Sequence, residues 1–181
     1  MKILIGLTGS VATTLIDKIS KSFSDHEVKF IATESAMNFI PSDTPTLADF
    51  NRTVSRLSLN ILRDSDEWKD TSKVLHIELV KWCDVFVIMP CSANTLAKLS
   101  WGISDNLLMS CARAWDFNKK MWIAPSMNTK MWEHPSTLEQ LNRVKSWGIG
   151  VIDPIEKVLY CGDKGIGAME SVDKIKSIIC Q

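Results

Sequence analysis

The sequence has no long apolar run, no excess of charge of either sign and only three histidines, and each shortage excludes a class of protein. No window is apolar over the roughly 20 residues that a helix needs to cross a bilayer, and the first residues carry no signal-peptide cleavage pattern. The formal net charge of +0 provides no basic surface for nucleic acid. We therefore predict a soluble cytoplasmic protein that binds neither membranes nor nucleic acids.

The spacing of the cysteines is not that of a metal site. The five cysteines include no CxxC pair, and no ligand spacing is typical of zinc, so we predict no metal site. Cys161 lies in LYCGDKGIGAME (159–170), a segment too rich in glycine for a helix and too polar for a core strand. This segment is either an ordinary turn or a lid that carries a thiol. The cysteines expected to be small apolar residues with reduced thiols are Cys83, Cys91, Cys111 and Cys180.

Short apolar segments alternate along the chain with segments of helical periodicity. The predicted strands are 2–7, 27–33, 84–90, 119–126 and 149–153. The predicted helices are 10–23, 34–40, 76–83, 92–102, 105–115, 134–148 and 171–180. This alternation predicts one α/β domain over residues 1–181, in which helices cover both faces of a parallel sheet. Residues 41–73 are expected to form an irregular excursion from that pattern.

Polar residues follow three of the predicted strands, where ligands bind in folds of this class. They lie in LTGSVA (7–12), IATES (31–35) and IMPCSANTLAK (88–98). Free N–H groups and hydroxyls at the start of a helix favour a phosphate. The first segment lacks the full GxGxxG pattern, so a dinucleotide site is not supported, and an ordinary strand-to-helix turn remains an alternative.

Two further positions are candidates for chemistry. Asn128 lies between Met127 and Met131 in a loop after a predicted strand, where an amide among apolar groups suits a substrate carboxylate or amide. A stripe of this kind is also common in core packing. His76 begins a predicted helix, where it is either a surface residue or a general acid–base.

Several of these segments occur together in one known family. They are TGSVA, HIEL, PCSANTLAKL, GISDNLL, RAW, APSMNTKMW and CGDKGIGAM, in this order. In them the chain resembles the phosphopantothenoylcysteine decarboxylases of the flavin-dependent cysteine decarboxylase family, which include halotolerance-type flavoproteins. The resemblance covers nearly the whole chain and is weakest over 41–73. The chain departs from the family pattern at Cys91, Ser126 and Tyr160, where alanine, leucine or valine is usual.

The resemblance implies a flavodoxin-like three-layer fold and a homotrimer that binds FMN between neighbouring subunits. It implies that His76 is the catalytic acid–base and that Cys161 is the thiol of the lid. The implied substrate contacts are Asn128, Met131 and Met169. The implied FMN contacts are Gly9, Ser10, Val11, Ser35, Ser92, Ala93, Asn94, Thr95 and Ser126.

The implied reaction is decarboxylation of 4'-phosphopantothenoyl-L-cysteine to 4'-phosphopantetheine in coenzyme A biosynthesis. An amino-acid carboxylate leaves as CO₂ only if an electron sink is available, and a flavin creates one by oxidising the cysteine thiol to a thioaldehyde. Reduced flavin then returns the electrons to the enethiolate that remains. In this scheme Cys161 protonates the carbon skeleton during that reduction, in a site that is closed to water.

Three other functions are compatible with parts of the sequence. A peptidyl-cysteine decarboxylase releases an enethiol and needs no lid thiol, so Cys161 argues against it. A phosphatase-regulating halotolerance-type binding protein usually carries long acidic or disordered extensions, which this sequence does not contain. A plain flavodoxin-like electron carrier has no need of His76 or of the PxMNxxMW pattern.

Overall fold

The central element of the fold is a parallel β-sheet. The structure, a computed structural model, describes residues 1–40, 61–70, 72–158, 162 and 164–181. Among these residues the six strands of the sheet lie in the order β3-β2-β1-β4-β5-β6, and every neighbouring pair is parallel. The strands are β1 (Lys2–Leu7), β2 (Glu27–Ala32), β3 (Ile61–Leu62), β4 (Val85–Cys91), β5 (Lys120–Pro125) and β6 (Gly150–Val151).

Helices cover both faces of this sheet, as the alternating pattern predicts. On β1, Ile3 and Ile5 are buried against one helical layer while Leu4 is buried against the other, because successive side chains of a strand point to opposite faces. The first layer contains α1 and α8, and the second contains α3, α4, α5 and α7. The helices are α1 (Ile16–Ser22), α2 (Glu34–Met37), α3 (Leu75–Trp82), α4 (Ala93–Trp101), α5 (Leu107–Arg113), α6 (Thr129–Trp132), α7 (Pro135–Ser146) and α8 (Val172–Ile179).

The strand order reverses between β1 and β4, and this position is the switch point of the sheet. From β1 the chain runs outward through β2 to β3, then returns to β4 and runs outward in the other direction. The hydroxyl of Thr8 donates to the carbonyl of Pro90 at 2.8 Å and accepts from the N–H of Ser92 at 2.9 Å. These two bonds hold together the carboxyl ends of the two central strands, where a ligand crevice is expected.

Two predicted elements differ from those observed. The helix predicted over 10–23 begins as a 3₁₀ turn, Val11–Leu15, before α1 starts, although Ser10 caps it as predicted by accepting from the N–H of Ala12. The excursion predicted over 41–73 contains the edge strand β3, too short for its periodicity to be recognised. Residues 41–60 and 71 of that excursion lie outside the described residues.

The segment predicted as a glycine loop is partly an antiparallel hairpin. Strands β7 (Ile155–Val158) and β8 (Lys164–Ala168) pair with each other and form a separate two-stranded sheet. A Cβ atom on Gly167, whose φ is 143°, would lie 2.2 Å from the carbonyl oxygen of Met127. This glycine therefore allows the hairpin backbone to approach the residues after β5 closely. Cys161 and Tyr160 lie outside the described residues.

Candidate active site

A cavity of about 770 Å³ opens at the carboxyl edge of the sheet, within the size range of small-molecule sites. It contains residues that follow β1, β2, β4 and β5, together with residues of the hairpin. Of the predicted site residues, those that line it are Gly9, Ser10, Val11, Ser35, Ser92, Ala93, Asn94, Ser126, Asn128, Met131 and Met169. A second cavity of about 370 Å³, which Arg113 and Trp147 help to line, contains none of them.

Hydroxyl groups lie at the ends of three strands inside this cavity. Ser10, after β1, donates to the hydroxyl of Ser126, after β5, at 2.9 Å. A Cβ atom on Gly9 would lie 2.6 Å from the hydroxyl of Ser35, which follows β2. Glycine at this position therefore lets the β1 and β2 ends come together. Ser126 replaces the alanine that is usual in the family. Its hydroxyl accepts the hydrogen bond from Ser10, so the serine is accommodated in the site.

The start of α4 forms the wall at the end of β4. Ser92 caps this helix by accepting from the N–H of Thr95 at 3.3 Å, and Ala93 and Asn94 line the cavity beside it. Thr95 is buried, its hydroxyl lies 3.1 Å from that of Ser92, and it does not line the cavity. Of the three polar residues predicted at this helix start, Ser92 and Asn94 line the cavity, whereas Thr95 is buried behind Ser92.

Asn128 begins a short helix rather than lying in an irregular loop. Its Oδ1 accepts from the N–H of Lys130 at 2.8 Å, which fixes the orientation of the side-chain amide at the start of α6. The arrangement places a neutral amide at the cavity beside Met131.

The hairpin supplies the remaining wall of the cavity. Gly167 accepts a hydrogen bond from the N–H of Met127 at 2.9 Å, and Met169 is 7% exposed where it follows β8. Lys157 also lines the cavity, and among the described lining residues it is the only one with a formal charge. The sequence gives no signal for Lys157, because it lies in an exposed, charged strand without a motif.

His76 is not among the residues that line the cavity. It lies in the first turn of α3, and its Nδ1 is 2.6 Å from Oε1 of Glu67. The backbone N–H of His76 donates to Oε2 of the same carboxylate at 3.2 Å. Glu67 is 8% exposed and is absent from the predicted site residues, because its charged surroundings, RDSDEWKD, are typical of a solvated surface.

The described cysteines are not suited to act as thiolates. Burial raises the pKa of Cys83 to about 11 and that of Cys91 to about 12, and it also raises the pKa of Cys111. Three of the four therefore behave as the small apolar residues predicted, while Cys180 is only half-buried.

Two other kinds of site are not found in the part of the chain that the structure describes. Among the described residues there is no group of acidic, histidine and cysteine side chains able to hold a metal ion. None of the described helices combines the length and the apolar composition of a membrane span.

Comparison with known proteins agrees with this geometry. The model of the Flavoprotein family matches residues 1–181. The phosphopantothenoylcysteine decarboxylase of Oryza sativa subsp. japonica is 41% identical over 98% of this chain and 79% of its own. The putative phosphopantothenoylcysteine decarboxylase of Dictyostelium discoideum is 44% identical over 96% of this chain and 88% of its own.

Solved structures give the same result. A mutant PPC decarboxylase complexed with pantothenoylaminoethenethiol has a TM-score of 0.89 and is 38% identical over 99% of this chain and 96% of its own. The FMN binding protein AtHal3 has a TM-score of 0.85 and is also 38% identical, over 99% of this chain and 94% of its own. These likenesses confirm the flavodoxin-like α/β fold. The chain therefore belongs to the Flavoprotein family, among the phosphopantothenoylcysteine decarboxylases.

Proposed function

We propose that this protein catalyses the FMN-dependent decarboxylation of 4'-phosphopantothenoyl-L-cysteine to 4'-phosphopantetheine, in the cytoplasm and as a step of coenzyme A biosynthesis. The observation that carries this proposal is the cavity at the switch point, where strand-end hydroxyls, Asn128 and the hairpin meet. The test is CO₂ release by apoprotein and by FMN-loaded protein. Release that depends on added FMN supports the proposal, and equal release by both preparations contradicts it.

The residues of the cavity fit FMN. The hydroxyls of Ser35, Ser92 and Ser126 suit a phosphate, and Leu15 and Phe39 provide apolar surface for a ring system. FMN held there would supply reversible two-electron redox chemistry to the thiol-bearing carbon of the substrate. The protein's own part is to bind, to orient and to move protons.

Asn128 is proposed to hold the substrate carboxylate. A neutral amide binds a carboxylate more weakly than a lysine or arginine does, so it retains the charge less strongly when the carboxylate leaves as CO₂. Met131 and Met169 line the cavity nearby and give it apolar surface. Cys161 is proposed as the proton donor for the final reduction.

We propose that a second copy of the chain completes the site, in a homotrimer. The support is that His76, the proposed acid–base, is not part of the cavity wall of its own chain. In the proposed assembly each site takes its cavity from one subunit and its His76 from the neighbour, which is the head-to-tail contact that closes a ring. The imidazole then accepts the proton that the substrate thiol loses.

Lys157 is proposed to bind the terminal phosphate of the substrate. Replacing it with methionine keeps the length of the side chain and removes the only formal charge among the described lining residues. We expect Lys157→Met to lower kcat/KM for the phosphorylated substrate by about tenfold or more, the effect of losing one charge-assisted hydrogen bond. For pantothenoylcysteine, which has no phosphate, kcat/KM should change little. Steady-state kinetics with the two substrates measures the difference.

Lys164 offers a matched control on the same hairpin. Its ammonium lies 3.6 Å from the carboxylate of Glu156, and it does not line the cavity. Lys164→Met should leave the preference for the phosphorylated substrate unchanged. An equal loss for both substrates in Lys157→Met, or a loss of FMN affinity without any change in that preference, would contradict the assignment.

A further inference from the structure

The carboxylate of Glu67 uses both of its oxygens on one residue, His76. Oε1 lies 2.6 Å from the ring Nδ1, and Oε2 accepts from the backbone N–H at 3.2 Å. Glu67 is 8% exposed, and the only ion pair found for it in the described part of the chain is with this imidazole. The two bonds therefore fix the ring of His76 relative to its own backbone.

The backbone bond has a structural role of its own. The first N–H groups of a helix have no partner within the helix, and His76 is the second residue of α3. Glu67 is itself held in place after a 3₁₀ turn, where its N–H donates to the carbonyl of Asp64 at 3.2 Å. On the other side, the thiol of Cys111 on α5 lies 3.8 Å from the carbonyl of His76. The backbone of His76 is thus fixed from two directions.

The hydrogen bond to the imidazole ring is not needed to cap the helix, and it determines which ring nitrogen carries the proton. An ionised carboxylate only accepts hydrogen bonds, so the ring nitrogen that faces it must carry the proton. The neutral imidazole is then protonated at Nδ1 and has its lone pair at Nε2. Carboxylate partners of histidine fix ring orientation and tautomer in this way in many sites.

We infer that Glu67 is a positioning residue, which holds His76 in the Nδ1–H tautomer so that Nε2 is the atom that exchanges protons with the substrate. This inference rests on the proposed function, in which His76 is the acid–base. Glu67 itself does not contact the substrate. Its contribution is to keep the lone pair of the imidazole on Nε2 before the substrate binds.

Glu67→Gln separates the two bonds while keeping the shape of the side chain. Glutamine has one acceptor oxygen, so it cannot accept from both N–H groups of His76. If that oxygen remains on the backbone N–H, the NH₂ group faces the ring and favours the opposite tautomer, with the proton on Nε2. We expect kcat to fall about 100-fold, within the contribution of general acid–base catalysis, while KM changes less than about twofold.

The direct readout is the tautomer of His76, measured from ring ¹⁵N chemical shifts in FMN-loaded protein at a pH where the ring is neutral. The signals are assigned by their absence from His76→Asn. We expect Nδ1–H in the wild-type protein and a large Nε2–H population in Glu67→Gln. Glu78→Gln is the matched control, because Glu78 is an exposed acid on the same helix, and it should change neither tautomer nor kcat.

Two results would overturn the inference. One is an Nε2–H tautomer in the wild-type protein, which requires no variant and so does not depend on how well Glu67→Gln folds. The other is a Glu67→Gln variant that keeps both the wild-type tautomer and the wild-type kcat. The proposed function fails by a different result, namely full activity of His76→Asn, which leaves the tautomer measurement unaffected.

Discussion

The His76→Asn variant is expected to lose about a thousandfold in kcat, because general acid–base catalysis contributes on the order of 10²–10⁴. FMN should remain bound, because the variant leaves the proposed FMN contacts in the cavity, such as Ser10, Ser35 and Ser92, unchanged. Stopped-flow kinetics and the flavin absorption spectrum of the same preparation measure both quantities. A variant with wild-type rates would remove His76 from the mechanism.

A mixing experiment tests where this histidine acts. Asn128→Asp places a negative charge against the substrate carboxylate, and aspartate still caps α6. His76→Asn and Asn128→Asp should each be nearly inactive alone. In trimers formed from equal amounts of both, about a quarter of the sites would combine an intact cavity with an intact histidine from the neighbour. If each chain supplied both the cavity and the histidine of its own site, no mixed trimer would have an intact site. Activity would then stay at the level of the single variants.

The Cys161→Ser variant is expected to change the product rather than the release of CO₂. Oxidation and decarboxylation precede the step assigned to Cys161, so in a single turnover CO₂ should form at a rate near that of the wild-type protein, and the two electrons should remain on the flavin. A serine hydroxyl is a much weaker acid than a thiol, so the enethiol should accumulate.

Mass spectrometry of the products tests whether Cys161→Ser releases the enethiol. The enethiol is lighter than the saturated thiol by two hydrogens, so the two are resolved in one spectrum. Cys91→Ser is the control, because Cys91 is fully buried and its raised pKa excludes it as a proton donor near neutral pH. A saturated product from Cys161→Ser would refute the role assigned to the thiol.

The order of strands and helices could be predicted from sequence because buried parallel strands leave a strong signal. Segments such as KILIGL and DVFVIMP are continuously apolar, and they form β1 and β4. Once the sheet is parallel, its carboxyl ends share one edge, so Ser10, Ser35 and Ser92 were expected to meet. In the structure all three residues line one cavity.

Sequence patterns do not reveal residues whose role depends on a partner that is distant along the chain. Glu67 is buried in the fold, yet it comes from a charged run whose composition is typical of a solvent-exposed surface. Its significance arises only when α3 places His76 within hydrogen-bond distance. Lys157 is similar, because only the pairing of the hairpin brings it to the cavity.

Glycine in the segment 159–170 has a different explanation from the one the sequence favours. The pattern predicts a flexible loop, yet Gly165 and Gly167 lie in β8. A Cβ atom on Gly165 would lie 2.4 Å from the hydroxyl oxygen of Thr129. Composition alone does not distinguish a glycine needed for motion from one needed for close packing.

The most direct measurement is a single-turnover reaction of the FMN-loaded protein with 4'-phosphopantothenoyl-L-cysteine in the absence of oxygen. We predict one CO₂ and one saturated 4'-phosphopantetheine per site, with the flavin fully oxidised again when the reaction ends. Flavin that remains reduced while an unsaturated thiol is released, or CO₂ that forms without any transient loss of flavin absorption, would contradict the claim that the cofactor takes electrons from sulfur-bearing carbon and gives them back.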